Sequence, residues 1–254
     1  MKKRKAGIGI FVIVLIITAV RVKSMDSHRI SGRILAENIA GPGMLRLVEQ
    51  SMQARARKTS VTEIAVKERK HPQAALTFDD GPDIRYTPLL LDGLKERNVR
   101  VSFFLLGEKV EQYPELVERM QKEGHLVGNH TYHHVQLNKL NETKAREEIL
   151  KTNNLIYETT GVYPLYLRPP FGAWKKNLEL CVEMLPVFWT IDTLDWKVKN
   201  TEKIVRTVKE QIEDGAIILM HDEYDTSVEA ALQVVDELKN QGYELVTVDQ
   251  LILP

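Results

Sequence analysis

A single cysteine, Cys181, is all the 254-residue chain has, so it can form no disulfide within itself and supply no cysteine-rich zinc cage. A metal here must be held by histidine and carboxylate. Beside a Val-Glu-Met-Leu run, Cys181 itself reads as a small buried apolar residue rather than a reactive thiol. There is no surplus of charge either: Lys+Arg and Asp+Glu both total 35. Without a basic excess there is little to draw the chain onto a phosphate backbone, which argues against nucleic acid as a partner. Internal repeats and low-complexity tracts are also missing. What remains, 43% hydrophobic residues, suffices to bury the core of one large domain or two small ones.

The balanced total hides an uneven start. Lys2, Lys3, Arg4 and Lys5 precede Ala6 to Val20, which is free of charge and mostly Ile, Val and Leu. That is the layout of an export segment. A cleaved signal needs an apolar core of about 7–15 residues, and an uncleaved anchor needs about 20. The run falls between, so both readings stay open. Arg21, Val22, Lys23, Ser24 and Met25 offer no small-x-small cleavage site, which favours the anchor. Arg21 and Lys23 can snorkel to the interface, and the basic cluster keeps the N-terminus cytoplasmic. The expectation is a single-pass protein with residues 1–23 as cytoplasmic cluster and anchor, its remainder facing the envelope; secretion after cleavage is the alternative. Residues 24–71 read as an extracytoplasmic stem, with an apolar stripe at Ile30, Ile34, Leu35 and Ile39, a Gly41-Pro42-Gly43 break, and basic residues at Arg55, Arg57 and Lys58. That basic part also has the composition to lie on anionic lipid.

Regularity begins at residue 74. Short runs rich in β-branched and aromatic residues predict strands at Ala74–Phe78, Val99–Leu106, Leu126–Asn129, Tyr166–Arg168, Val187–Ile191, Ala216–Met220 and Glu244–Val248. Helical periods predict helices near 87–97, 114–123, 142–159, 175–185, 201–213 and 227–240. Pro88 and Pro114 suit a first helical turn, and Gly124, Gly161, Gly215 and Gly242 suit the left-handed position past a helix end. Strands alternating with helices predict an α/β fold: an irregular (β/α)7-type barrel of parallel strands with outer helices, over 72–254. In such folds reacting groups gather at the C-terminal ends of the strands.

Five clusters stand just there. Thr77-Phe78-Asp79-Asp80-Gly81-Pro82 ends the first strand with two acids, which leave it toward different sides. Gly128-Asn129-His130-Thr131-Tyr132-His133-His134 follows the third and puts three of seven histidines within five residues. His130 and His134, four apart, can face one ion from a single turn. With Asp80 they make two imidazoles and one carboxylate, with room for water: the composition of a catalytic zinc site, which manganese, cobalt or iron can also occupy. His133 points elsewhere on the turn. Arg168-Pro169-Pro170-Phe171-Gly172, Asp192-Thr193-Leu194-Asp195-Trp196 and Leu219-Met220-His221-Asp222 complete the set. Each alone is an ordinary turn; their joint occurrence, in order and each at a strand end, is not.

In that order the clusters resemble the five motifs of the polysaccharide deacetylases, the NodB-homology or carbohydrate esterase family 4 enzymes, over about residues 72–254. The basic, apolar and stem segments ahead of that domain resemble the layout of bacterial peptidoglycan N-acetylglucosamine deacetylases. The resemblance implies that Asp79 is the general base, that Asp80, His130 and His134 hold one divalent metal, zinc foremost with cobalt or manganese as alternatives, and that His221 is the general acid. It further implies that Arg168 pairs with Asp79, that Asp195 orients His221 and keeps it protonated, and that the Phe171 N–H stabilises the oxyanion. Trp196 and Leu219 would line the acetyl pocket. Tyr132, with Trp174 and Trp196, is a candidate to stack on sugar rings, with core packing as the alternative. Phe171 stands where many relatives have Tyr, and Pro170 is a position the resemblance marks for modification. The expected substrate is a cell-wall polysaccharide, the expected state a monomer. An ester deacetylase on acetylated xylan and a catalytically silent glycan-binding protein are the alternatives.

Overall fold

A computed structural model describes residues 70–174 and 184–252. The predicted anchor, all but the last two residues of the stem, and Cys181 lie outside the described residues, among which no helix is long and apolar enough to cross a membrane. Every described residue falls within one compact unit, Lys70–Pro254.

Among the described residues, eight strands form one parallel sheet: β1 (Gln73–Asp79), β2 (Ser102–Leu105), β3 (Leu126–Asn129), β4 (Tyr166–Leu167), β5 (Leu185–Pro186), β6 (Ile191–Asp192), β7 (Ala216–His221) and β8 (Glu244–Leu245). Their order is β5-β4-β3-β2-β1-β7-β6, with β8 on β1. β7 runs along β1 from Ala74 to Asp79, so β2 and β8 share the opposite edge, β8 at Gln73 and Ala74 and β2 from Thr77 to Asp79. Helices α1 (Tyr86–Glu96), α2 (Gly107–Gln112), α3 (Pro114–Lys122), α4 (Glu142–Thr160), α5 (Asp195–Val198), α6 (Thr201–Gln211), α7 (Asp225–Asn240) and α8 (Val248–Ile252) connect them. The result is a parallel-strand barrel of the (β/α) type, open by hydrogen bonding between β5 and β6.

The opening corrects one expectation. Val187–Ile191 is not a single strand, because Val187 N–H still donates to Leu167 O of β4 (2.8 Å) while Thr190 N–H already donates to Ile217 O of β7 (2.9 Å). The segment crosses from one free edge of the sheet to the other, leaving two-residue strands at either end. Two further boundaries move: Val248 opens α8 instead of ending a strand, and Leu185, at the end of the helix predicted for 175–185, begins β5. The rest of that helix lies outside the described residues.

Strand period decides what each face buries. From β1, Ala74, Leu76 and Phe78 enter the main core with Leu90, Leu91 and Leu94 of α1 and Val234 and Val235 of α7. Ala75 instead joins Phe104, Tyr166, Val187 and Val246 on the face the strands enclose. On that inner face, toward the strand ends, Thr77 and Asp79 replace hydrocarbon.

Candidate active site

Parallel pairing brings the strand ends into one patch. Asp79 is in register with His221 on one side and Phe104 on the other, and Asn129 pairs with Leu167, which places His130 beside Arg168. Asp80, His130 and His134 converge, each offering a ligand atom within 4.8 Å of the others.

Charge and proton bookkeeping test whether these three fit a cation. His130 Nδ1 lies 2.6 Å from the carbonyl oxygen of Arg168. A carbonyl only accepts, so Nδ1 carries the proton and Nε2 presents a lone pair. That lone pair points at Asp80 Oδ1, 3.4 Å away, and His134 Nε2 approaches the same oxygen at 3.4 Å. Asp80 Oδ1 is buried and has no hydrogen-bond partner. Acceptors facing an orphaned carboxylate oxygen are satisfied by a positive ion. Burial also holds His130 down to about 3, so the ring stays neutral, the form that ligates. The donor set fits a metal.

Asp79 and His221 flank this cradle. Arg168 is fully buried inside the barrel; its Nη1 donates to Asp79 Oδ1 (2.8 Å) and Thr77 Oγ1 (2.6 Å), and its plane lies over the Phe104 ring at 4.2 Å. Burial pushes the Asp79 carboxyl up, outweighing the pull of Arg168, His221 and His134. The arginine therefore orients the Asp79 carboxylate without holding its pKa below the ordinary value. Asp195 is fully buried: Oδ1 accepts from His221 Nδ1 at 2.7 Å, and Oδ2 accepts from the His221 backbone N–H at 2.7 Å. Burial alone would lower the His221 pKa, but that hydrogen bond and the charges of Asp195, Asp79 and Asp80 raise it to about 9. His221 Nε2 is left facing Asp80 Oδ2 at 3.8 Å.

The predicted substrate contacts divide. Phe171 is 62% exposed, sits at φ +59°, and its ring lies 4.5 Å from that of His134. Trp196, 48% exposed, follows Asp195 at the start of α5, and Leu219 is buried on β7 opposite Asp192. Tyr132 is different. Its ring is buried, its hydroxyl donates to Glu111 on α2, and the Lys151 ammonium sits 3.4 Å from the ring centroid. It braces the loop against α2 and α4 and is not free to stack on a sugar. Trp174 packs against the Leu137, Ala145, Ile149 and Leu167 cluster, the alternative its sequence context left open.

Several polar residues of the site were not singled out by motif reasoning. Thr77 links Arg168 to Ile218 O, and Asn129 Oδ1 accepts the Thr131 N–H at 2.7 Å. Asp222 accepts a hydrogen bond from Thr87 and fills the space where a Gly81 side chain would be; burial pushes it up to about 7. Each lies within a motif, so adjacency was the only available signal. Glu148 lies in no motif, and its contact with the histidine loop crosses 15 residues.

Known proteins similar to this chain in sequence and geometry include peptidoglycan deacetylases. A family model described as polysaccharide deacetylase matches residues 66–188. The peptidoglycan-N-acetylglucosamine deacetylase PgdA of Listeria monocytogenes is 42% identical over 185 residues, 73% of this chain and 40% of that one. A peptidoglycan-N-acetylglucosamine deacetylase of Bacillus cereus is 40% identical over 186 residues, 70% of this chain and 68% of that one. The peptidoglycan-N-acetylmuramic acid deacetylase PdaC of Bacillus subtilis is 43% identical over 177 residues, 70% and 38% of the two chains. Its solved structure superposes with a TM-score of 0.70 at 42% identity, covering 72% of this chain and 90% of that one. The chain thus spans about two fifths of the length of the Listeria relative.

Proposed function

The chain belongs to the polysaccharide deacetylase family, and from that premise and the geometry of the site we propose that it removes N-acetyl groups from a cell-wall polysaccharide, releasing acetate. The single observation that carries the reading is the convergence of Asp80, His130 and His134 between the buried carboxylate of Asp79 and the Asp195-held imidazole of His221. Peptidoglycan is the substrate we propose, and N-acetylglucosamine the sugar. The Listeria and Bacillus cereus relatives named for that sugar support it, while PdaC, named for N-acetylmuramic acid, is the competing precedent.

Asp80, His130 and His134 would hold one divalent ion, for which zinc suits two imidazoles and a carboxylate and cobalt or manganese are alternatives. When bound, that ion supplies Lewis acidity to the amide carbonyl and a more acidic water. The remaining work belongs to side chains. Asp79, oriented by Arg168, takes a proton from the attacking water. The Phe171 N–H donates to the carbonyl oxygen as it gains charge, a contribution of about 3 kcal/mol for one such donor. His221, kept charged by Asp195, gives its proton to the amide nitrogen as the C–N bond breaks, so acetate and an amine leave. Trp196 and Leu219 line the acetyl pocket in this scheme.

We further propose that the protein acts as a monomer at the outer face of the cell membrane, held by the apolar run after Lys5, a location supported by the flanking charges and by the lack of a small-x-small cleavage site after the run. A mature N-terminus beginning after residue 20, read by mass spectrometry, would show secretion instead. Asp79→Asn tests the chemistry: it should still bind zinc and lose at least about 100-fold in acetate release from an N-acetylglucosamine oligomer. Retained turnover would remove Asp79 as the base. Faster release from acetylated xylan than from any N-acetylated glycan would replace the amidase by an esterase.

A further inference from the structure

We propose that Glu148 is a positioning residue for the metal cradle, holding the turn that carries His130 and His134 from a helix that contributes no ligand. The inference rests on reading Asp80, His130 and His134 as a metal site. Between the two histidines the backbone enters the left-handed region at Thr131 (φ +67°) and again at His134 (φ +54°). Residues with a β-carbon avoid that region unless their surroundings hold them there. On α4, the Glu148 carboxylate does the holding. Its Oε2 accepts from the backbone N–H groups of Tyr132 (3.1 Å) and His133 (2.9 Å), and its Oε1 accepts from His133 Nδ1 (2.8 Å).

Three donors on one carboxylate, two of them consecutive backbone amides, make a rigid grip, and charge-assisted bonds are the stronger kind. The same helix holds the chain just before the first ligand: Asn129 Nδ2 donates to Ile149 O (2.9 Å) and Asn153 Oδ1 (2.7 Å). The ligand turn is therefore clasped on both sides by α4. From α2, Gly107 and Glu108 N–H donate to the Thr131 and Tyr132 carbonyls (3.0 and 3.3 Å), so those peptide planes are fixed at both ends. Of these contacts, only Glu148 supplies a charge. His133 acquires a role in the same way. With its Nδ1 committed to Glu148, it serves as a third tether for the turn and not as a spare ligand.

Zinc affinity of the full-length chain, measured by competition with a chromophoric chelator, separates positioning from bulk stability. Glu148→Gln should weaken zinc binding by about 10–100-fold, the usual effect of losing a group that orients a metal ligand, while the metal-free protein unfolds near the wild-type temperature. Glu147→Gln, which removes the same charge from an exposed neighbouring position, should leave affinity within about twofold of wild type. If Glu148→Gln does not fold, Glu148→Asp, which keeps the charge and shortens the reach, is measured in its place against the same expectation. A folded variant that binds zinc as tightly as wild type overturns the positioning role and leaves the metal site standing. Wild-type protein that binds no zinc overturns both.

Discussion

On the proposed reading the chemistry turns on Asp80 Oδ1, a buried carboxylate oxygen that faces two imidazole nitrogens with no donor of its own and that a cation would satisfy. The pair beneath it, Arg168 and Asp79, is a different kind of commitment. With both side chains out of water, removing the arginine strands a carboxylate in the barrel, so Arg168→Met should lower unfolding free energy by about 3–5 kcal/mol. Urea denaturation measures this; a change below about 1 kcal/mol would mean the pair is not the internal brace described. His125 makes a pH prediction. Its Nδ1 accepts the Val101 N–H at 3.1 Å, and burial holds its pKa at about 4 against 6.5 in an unfolded chain. Between those values the unfolded state binds the extra proton, so stability present above pH 6.5 falls as pH drops toward 4, by up to about 3 kcal/mol. His125→Gln, which can keep an acceptor for Val101, should flatten that slope in pH-dependent unfolding; an unchanged slope would assign the acid sensitivity elsewhere.

Local signals at element ends were legible where the cause was local. Pro114 opens α3, and Gly161, at φ +72°, closes α4 as its missing β-carbon allows. Illegible were α2, α5 and α8, four to six residues each, too short for a period to show and shaped by what they pack against. The crossing segment 187–190 escaped for the same reason: its apolar run looks like a strand, and only the positions of two distant sheet edges reveal that it changes partner midway. The turn after β1 is the element most sensitive to a small change. A β-carbon on Gly81 would stand 2.5 Å from Asp222 Oδ1, on a buried carboxylate that cannot swing away while it accepts from Thr87. Gly81→Ala should therefore cost about 1–3 kcal/mol and displace Asp80 with the turn. Wild-type stability and wild-type zinc affinity together in that variant would show that the turn gives way freely.

At the scale of the whole molecule, the barrel gathers onto one rim residues that the chain separates by up to 142 positions, from Asp79 to His221. The two-imidazole, one-carboxylate set could be read from the spacing of His130 and His134 and from the order of the clusters, since the histidine pair follows one strand and the acid another. The polar fixtures behind it, Thr77, Asn129, Asp222 and Glu148, could not, because their partners are fixed by packing between elements. Tyr132 shows the converse: an aromatic within a functional motif that the fold uses as a brace. On the proposed reading the rim has a base side, a cation cradle and an acid side, and turnover would need all three. The decisive experiment is acetate release from an N-acetylglucosamine oligomer by the full-length chain before chelation, after chelation, and after zinc is restored. Release should fall to background with the chelator and return with zinc. Release unaffected by complete removal of the metal, or none from any acetylated glycan by the zinc-loaded chain, would contradict the three-part rim.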